Sequence, residues 1–126
     1  MTDQIADLLV RIKNASMVNK FEVAISHSKM KEAILAILKS EGFVKSFDIT
    51  EDGPKKIIKI SLSSTKRFSH LKQISKPGQR IYAKSKNIPH PIRGLGLVIV
   101  STPKGIVRAK DAAKQGMGGE LICEIW

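Results

Sequence analysis

Five consecutive residues carry more hydrogen-bonding groups than a turn requires: Ser101-Thr102-Pro103-Lys104-Gly105, which follow an apolar run at residues 95–100. A turn needs only the proline and the glycine. Ser101 and Thr102 can each donate a hydrogen bond to a phosphate, a ribose or a base edge. Lys104 adds a positive charge, and Gly105 lets a partner approach the backbone closely. The alternative is a capped turn whose hydroxyls bond only to backbone, and the residues alone leave both interpretations open.

A second cluster places glycines before a carboxylate, in the order Gly116-Met117-Gly118-Gly119-Glu120. If the partner of these residues is a nucleic acid, a carboxylate close to it would repel phosphate, so we expect Glu120 to act as a brace. In that role it accepts hydrogen bonds from amides or hydroxyls of the loop at residues 101–105 and holds that loop rigid. The alternative is that Glu120 accepts a hydrogen bond from a base amino group.

Tyr82 stands between the cations Arg80 and Lys84 in an expected strand at residues 80–83. That setting is typical of an aromatic ring that stacks on a base or a sugar. An ordinary half-buried tyrosine fits the same pattern equally well.

Further cations belong to two expected helices. Arg11, Lys13 and Asn14 lie on the polar side of the first helix. Lys29 and Lys31 lie in the first turn of the second helix, where cations oppose the helix dipole. A phosphate bound near that helix start would explain the placement, and ordinary solvated lysines are the alternative.

The titratable residues form no pattern for catalysis or for metal binding. His27, His70 and His90 lack a surrounding motif, and Cys123 is the single cysteine. Nucleophilic catalysis needs a positioned base, and a metal site needs clustered ligands. The sequence therefore predicts no enzyme activity, no catalytic residue, no metal, no cofactor and no small-molecule substrate.

The charge balance points to a polyanionic partner. The chain has 126 residues, with 22 Lys and Arg against 11 Asp and Glu, for a net charge of +11. From Gly53 to Lys110 there are 14 Lys or Arg and no acidic residue. Nucleic acid is the commonest partner for such a surface. Without a long apolar segment or a signal-peptide pattern, we expect a cytoplasmic protein with no membrane partner.

The hydrophobic periodicity predicts an α/β (α+β) fold with two small lobes. Residues 1–64 read as α-β-α-β-β, and residues 65–126 as mainly antiparallel β with short helices. We expect an N-terminal αβ domain at residues 1–64 and a β-rich C-terminal domain at residues 65–126. In the second domain, the prolines at residues 88–91 exclude a regular helix or a central strand there, and the apolar run at residues 95–100 is typical of a strand buried on both faces.

Local signals place the elements of the first domain. Thr2 and Asp3 suit the start of the first helix, and Ser28 can cap the second helix, whose apolar face includes Met30. Residues 58–62 alternate between apolar and polar side chains, as in a half-buried strand.

Several segments resemble bacterial small-subunit ribosomal protein eight and occur in the order of that family. They are DQIADLLVRIKNA at residues 3–15, KPGQRIY at 76–82, GLG at 94–96, STPKG at 101–105, and GGE at 118–120 with the terminal Trp126.

The resemblance implies a two-domain ribosomal protein that binds the central domain of 16S rRNA and helps the platform of the small subunit assemble. Neighbouring small-subunit proteins are implied partners, and the chain's own messenger is a further candidate, because some members repress its translation. The resemblance also implies that the C-terminal domain makes the principal RNA contacts and that the N-terminal domain makes auxiliary ones. The implied RNA-binding set is Ser101, Thr102, Lys104, Gly105, Gly118, Gly119 and Glu120, followed by Tyr82, Arg80 and Lys84.

One position departs from the family pattern. The family usually has a third hydroxyl where this chain has Pro103. Proline supplies neither a hydroxyl nor a backbone N–H, so one RNA contact of the family is expected to be missing. Proline also stiffens the loop, which reduces the entropy lost on binding.

Overall fold

A computed structural model describes residues 4–65, 68, 70–84 and 96–126. The chain divides into two compact units, Gln4–Phe68 and Ser69–Trp126, the latter grouped with the first three residues. The antiparallel strands form two sheets, and three helices accompany them in the described residues, which confirms the mixed α/β (α+β) fold class. Some expectations lie outside the described residues: the helix cap at Thr2 and Asp3, the proline-bounded segment 88–91 with His90, and residues 94–95.

The N-terminal unit has the expected α-β-α-β-β order. Its elements are α1 (Gln4–Met17), β1 (Glu22–Ser26), α2 (Lys29–Ser40), β2 (Val44–Asp52) and β3 (Lys55–Leu62). The strands form an antiparallel sheet in the order β1-β3-β2. Ser28 caps α2 as expected, because its side chain accepts a hydrogen bond from the Lys31 amide at 3.1 Å.

Apolar faces of both helices supply the core of this unit. Leu8 and Ile12 of α1 and Ile34 and Leu38 of α2 are fully buried, as is Ile58 of β3. The helical period is therefore confirmed, with one difference at the start of α2. Met30, which the period assigned to the buried stripe, is 38% exposed, whereas Lys31 is 4% exposed.

The C-terminal unit is built around its last strand, Gly119–Ile125, which pairs with three other strands. Its elements are β4 (Leu71–Gln73), β5 (Tyr82–Ala83), β6 (Leu97–Thr102), β7 (Gly105–Arg108), α3 (Ala109–Lys114) and β8 (Gly119–Ile125). The sheet order is β4-β8-β6-β7, and β5 also pairs with β8. All of these pairings are antiparallel.

The buried central run of this unit was predicted from the sequence, whereas two short strands were not. The run Leu97, Val98, Ile99 and Val100 is buried, as expected for a strand covered on both faces. Val98, Val100 and Leu121 pack with Ala109 and Ala112 of α3. The sequence analysis did not predict β4 or β7, because three or four residues are too few to show a period. Trp126 stacks on His70, with ring centroids 3.8 Å apart.

Two glycines allow β8 to begin between two neighbouring backbones. A Cβ on Gly118 would lie 2.8 Å from the Lys84 Cα and closer still to the Ala83 carbonyl oxygen. A Cβ on Gly119 would lie 2.9 Å from the Ser101 carbonyl carbon and closer still to its oxygen. These neighbours are backbone atoms and cannot move aside like a flexible side chain. Glycine is thus required at both positions for the chain to pass between β5 and β6.

We predict that Gly119→Ala destabilises the protein by about 2 kcal/mol, because an overpacked site forces backbone shifts. The expected fall in melting temperature is about 5–10 °C, measured by circular dichroism. Gly78→Ala is the matched control, because a Cβ at Gly78 would meet nothing within 4 Å. A Gly119→Ala variant as stable as Gly78→Ala would contradict the close approach.

We also predict that Cys123 is unreactive in the folded protein. Burial raises the pKa of its thiol from 9.0 to about 12. Since the thiolate is the reacting species, modification near pH 8 should be about 1000-fold slower than in the denatured chain. Thiol titration with and without denaturant measures this ratio. Similar rates in both conditions would show an ordinary, accessible thiol.

Candidate nucleic-acid interface

A row of three polar side chains crosses the C-terminal sheet. Glu120 on β8 lies directly opposite Tyr82 of β5 on one side and opposite Ser101 of β6 on the other. Direct cross-strand partners project from the same face of a sheet. A phenol, a carboxylate and a hydroxyl therefore stand side by side, although they come from three distant parts of the chain.

This row belongs to an open groove of about 920 Å³. The groove is lined by Tyr82, Ala83, Lys84, Ser101, Thr102, Pro103, Gly116, Gly118, Gly119 and Glu120. Most of the C-terminal residues that the sequence singled out thus line one surface. Arg80, Lys104 and Gly105, which the sequence also singled out, do not line the groove. Ala83 and Gly116 line it although neither was among the predicted RNA-binding residues, and only the pairing of β5 and the position of α3 could have identified them.

Tyr82 is 69% exposed. This exposure agrees with a ring available for stacking and does not agree with a half-buried tyrosine. The short strand β5 pairs with β8 through Tyr82 and Ala83 only. Lys84 follows directly and is also exposed.

The hydroxyl of Thr102 is used inside its own turn. Thr102 is 8% exposed. Its Oγ1 donates to the Gly105 carbonyl oxygen at 2.8 Å and accepts from the Lys104 amide at 3.2 Å. Thr102 therefore matches the capped-turn alternative, while the half-buried Ser101 and the exposed Lys104 and Gly105 remain open to a partner.

Glu120 braces a different residue from the one expected. Its Oε2 accepts a hydrogen bond from Arg80 Nη1 at 3.1 Å, with 16% of the Glu120 side chain and 39% of the Arg80 side chain exposed. Within the described residues, no hydrogen bond joins the carboxylate to the hydroxyls of Ser101 or Thr102. The guanidinium offsets the negative charge that the groove would otherwise present to a phosphate.

The other acidic residues after position 64 lie beside an arginine or a histidine. Asp111 accepts from Arg108 Nε at 2.7 Å and from Nη2 at 3.2 Å. The hydrogen bond from Arg108 is the main cause that lowers the pKa of Asp111. Glu124 lies 3.4 Å from the Nε2 of His70. Meanwhile, the exposed lysines of the unit include Lys72, Lys76, Lys84, Lys104, Lys110 and Lys114. The unit therefore presents a strongly basic surface.

The predicted residues of the N-terminal unit divide into exposed and buried groups. Arg11, Lys13, Asn14 and Lys29 are exposed, and Arg11 also pairs with Asp7 at 3.0 Å. Arg11 borders a second groove, of about 500 Å³. The other residues that line it are Ala24, Ile25, Ser26, His27, Lys55, Lys56 and Ile57. The sequence analysis did not single out Lys55 and Lys56.

Lys31 points inward and does not face a partner. Its Nζ donates to Ser26 Oγ at 3.0 Å and to the Ser26 carbonyl oxygen at 3.2 Å, with Asp7 Oδ2 at 3.6 Å. The ammonium is therefore satisfied within the unit, and its long apolar stem takes the buried position at the start of α2. A phosphate-binding role for Lys31 does not fit this geometry.

The described residues contain neither a membrane-spanning helix nor a cluster of metal ligands. None of the helices there is long and apolar enough to cross a membrane. The same residues contain no group of three or more His, Cys, Asp or Glu that could hold a metal ion.

Comparisons with known proteins identify one family over nearly the whole chain. The family model described as ribosomal protein S8 matches residues 3–126. The chain is 49% identical to the small ribosomal subunit protein uS8 of Caldanaerobacter subterraneus subsp. tengcongensis, over 100% of this chain and 98% of the relative. It is 45% identical to the protein of that name from Moorella thermoacetica, over 100% of both chains.

A third relative, uS8 of Clostridioides difficile, is 45% identical over 100% of this chain and 98% of its own length. This family is not a class of enzymes, and its members associate with ribosomal RNA and with other ribosomal proteins. On this evidence of full-length similarity, the chain belongs to the ribosomal protein S8 family and is a component of the small ribosomal subunit in the cytoplasm.

Proposed function

We propose that the protein binds the central domain of 16S rRNA directly and thereby helps the platform of the small subunit assemble. The principal contact is the groove of the C-terminal domain, residues 65–126. The observation that carries the proposal is the convergence of Tyr82, Ser101 and Glu120 in one row, within a groove that is lined in part by glycines.

The side chains of the groove, and Lys104 in the turn beside the groove residue Pro103, have distinct chemical tasks. The exposed Tyr82 ring stacks on a base or a ribose. The Ser101 hydroxyl reaches a 2′-hydroxyl or a base edge, which favours RNA over DNA. Lys84 and Lys104 neutralise phosphates and make the affinity depend on salt.

Glu120 has a part in this scheme because Arg80 balances its charge. The Oε2 atom is engaged by Arg80, while a carboxylate has further lone pairs available to an amino group of a base. An acidic group can therefore remain in an RNA-binding groove and discriminate against bases that lack an amino group.

The N-terminal unit provides auxiliary contacts. The exposed Arg11, Lys13, Asn14 and Lys29 form this set, and Lys55 and Lys56 join it because they line the groove beside Arg11. Lys31 is excluded because its ammonium is buried and already bonded.

A groove that recognises the shape of one folded RNA would accept the same fold in another molecule. We therefore carry the chain's own messenger as a candidate second target, with translational repression as the result. A messenger fragment should then compete with 16S rRNA for the same site.

The test is equilibrium binding to a 16S central-domain fragment across a salt series. We expect tight binding that weakens steeply with salt, since each neutralised phosphate releases counterions. Duplex DNA at equal phosphate concentration should compete poorly. Equal competition by duplex DNA would instead indicate a general nucleic-acid binder.

We predict that Lys104→Ala weakens RNA binding and lowers the slope of log K against log salt by about 1, the value for one lost phosphate contact. Lys45→Ala is the matched control, because Lys45 is an exposed lysine of the other unit and lies neither in a groove nor in the turn at residues 103–104 beside one. A slope unchanged by Lys104→Ala at fixed temperature and pH would remove Lys104 from the interface.

We predict that Tyr82→Leu costs about 1–3 kcal/mol of RNA affinity, the range for loss of one base–aromatic stack. Tyr82→Phe keeps the ring and should retain most of the affinity. Because Tyr82 is 69% exposed, neither change should alter the melting temperature much. If Phe and Leu weaken binding equally, the hydroxyl matters and the stacking role is wrong.

A further inference from the structure

The loop at residues 101–105 is held by several constraints in the free protein. Thr102 pairs with Gly105 across the hairpin, so only Pro103 and Lys104 form the turn between β6 and β7. The Thr102 hydroxyl bonds to the Gly105 carbonyl oxygen at 2.8 Å and to the Lys104 amide at 3.2 Å. Gly105 has a φ of +122°, a conformation that other residues rarely adopt.

Pro103 occupies the first of the two turn positions. Its ring fixes φ near −65°, a value that suits the first central position of type I and type II turns. Pro103 is exposed and lines the groove next to Ser101 and Thr102. The ring therefore restricts the backbone conformation of the turn directly before the exposed Lys104.

We propose that Pro103 is a positioning residue that fixes the loop in its RNA-binding conformation before RNA arrives. The inference rests on the proposed function, because it assumes that this groove binds RNA. A loop that is already ordered loses less conformational entropy on binding than a loop that must be ordered by its partner. Pro103 contributes this ordering without making a hydrogen bond of its own to the RNA.

The test is a graded series at position 103, measured against the 16S central-domain fragment. Pro103→Ala should weaken RNA binding by about two- to five-fold, the worth of one proline at a compatible site. Pro103→Gly should weaken it by a further similar factor, because glycine frees the backbone more than alanine does. If the ring instead acted by direct contact with RNA, Ala and Gly would weaken binding equally.

Pro77 provides a matched control in the same unit. It is an exposed proline at the first position of a two-residue turn, and Lys76 and Gln79 close that turn with backbone hydrogen bonds of 3.0 and 2.9 Å. It does not line the groove. Pro77→Ala and Pro77→Gly should loosen a comparable turn and leave the affinity for RNA unchanged.

Amide hydrogen exchange gives a readout that needs no RNA. The Lys104 amide is bonded to the Thr102 hydroxyl, so its exchange should become faster in the order Pro, Ala, Gly at position 103. Amides of β8 should keep their protection, which would show that each variant is folded. Unchanged exchange at Lys104 would overturn the inference, whatever the affinities are.

The outcomes separate this inference from the proposed function. If the wild-type protein fails to bind the fragment, the proposed function is wrong. If the wild-type protein binds and Pro103→Gly binds equally well, the function stands and the positioning role of Pro103 is wrong. Equal losses for the Pro103 and Pro77 variants would also overturn it, because the effect would then be one of general stability.

Discussion

The absence of two side chains is the constraint on which the candidate interface depends. Gly118 and Gly119 let β8 enter the sheet between the backbones of Ala83 and Ser101. That entry sets the register in which Tyr82, Glu120 and Ser101 form one row. Where these two glycines line the groove, no side chain covers the backbone, so another molecule can approach it closely. The resemblance implied that this glycine pair contacts RNA. Its first role in the structure is to let neighbouring strands pack closely.

Charge pairing makes the surface suitable for a polyanion without removing its acidic groups. Glu120 and Asp111 each bond to an arginine of the same unit. Their negative charges are balanced locally, and the exposed lysines determine the field that a partner meets. The arrangement also orients the Glu120 carboxylate, since Arg80 donates a hydrogen bond to its Oε2. Positioned in this way, the carboxylate can contribute to specificity while the lysines supply affinity.

Local features of the fold followed from local patterns in the sequence. The apolar spacing of α1, the cap at Ser28 and the alternation along β3 are contained in adjacent residues, and each was confirmed. The row across β5, β8 and β6 was not predicted, because the register of distant strands leaves no periodic signal. Lys31 was assigned to the surface because the sequence does not show the bonds from its ammonium to Ser26. The two interpretations of Thr102 could be distinguished only by the distances in its turn.

The most direct measurement of the central claim is an NMR titration of the isotope-labelled protein with a 16S central-domain fragment. The backbone amides of Tyr82, Lys84, Ser101, Lys104 and Glu120 should show the largest changes, together with those of Gly118 and Gly119. Amides of α3 that face away from the groove should change little. Changes confined to other parts of the chain, with the groove amides unaffected at saturating RNA, would contradict the claim.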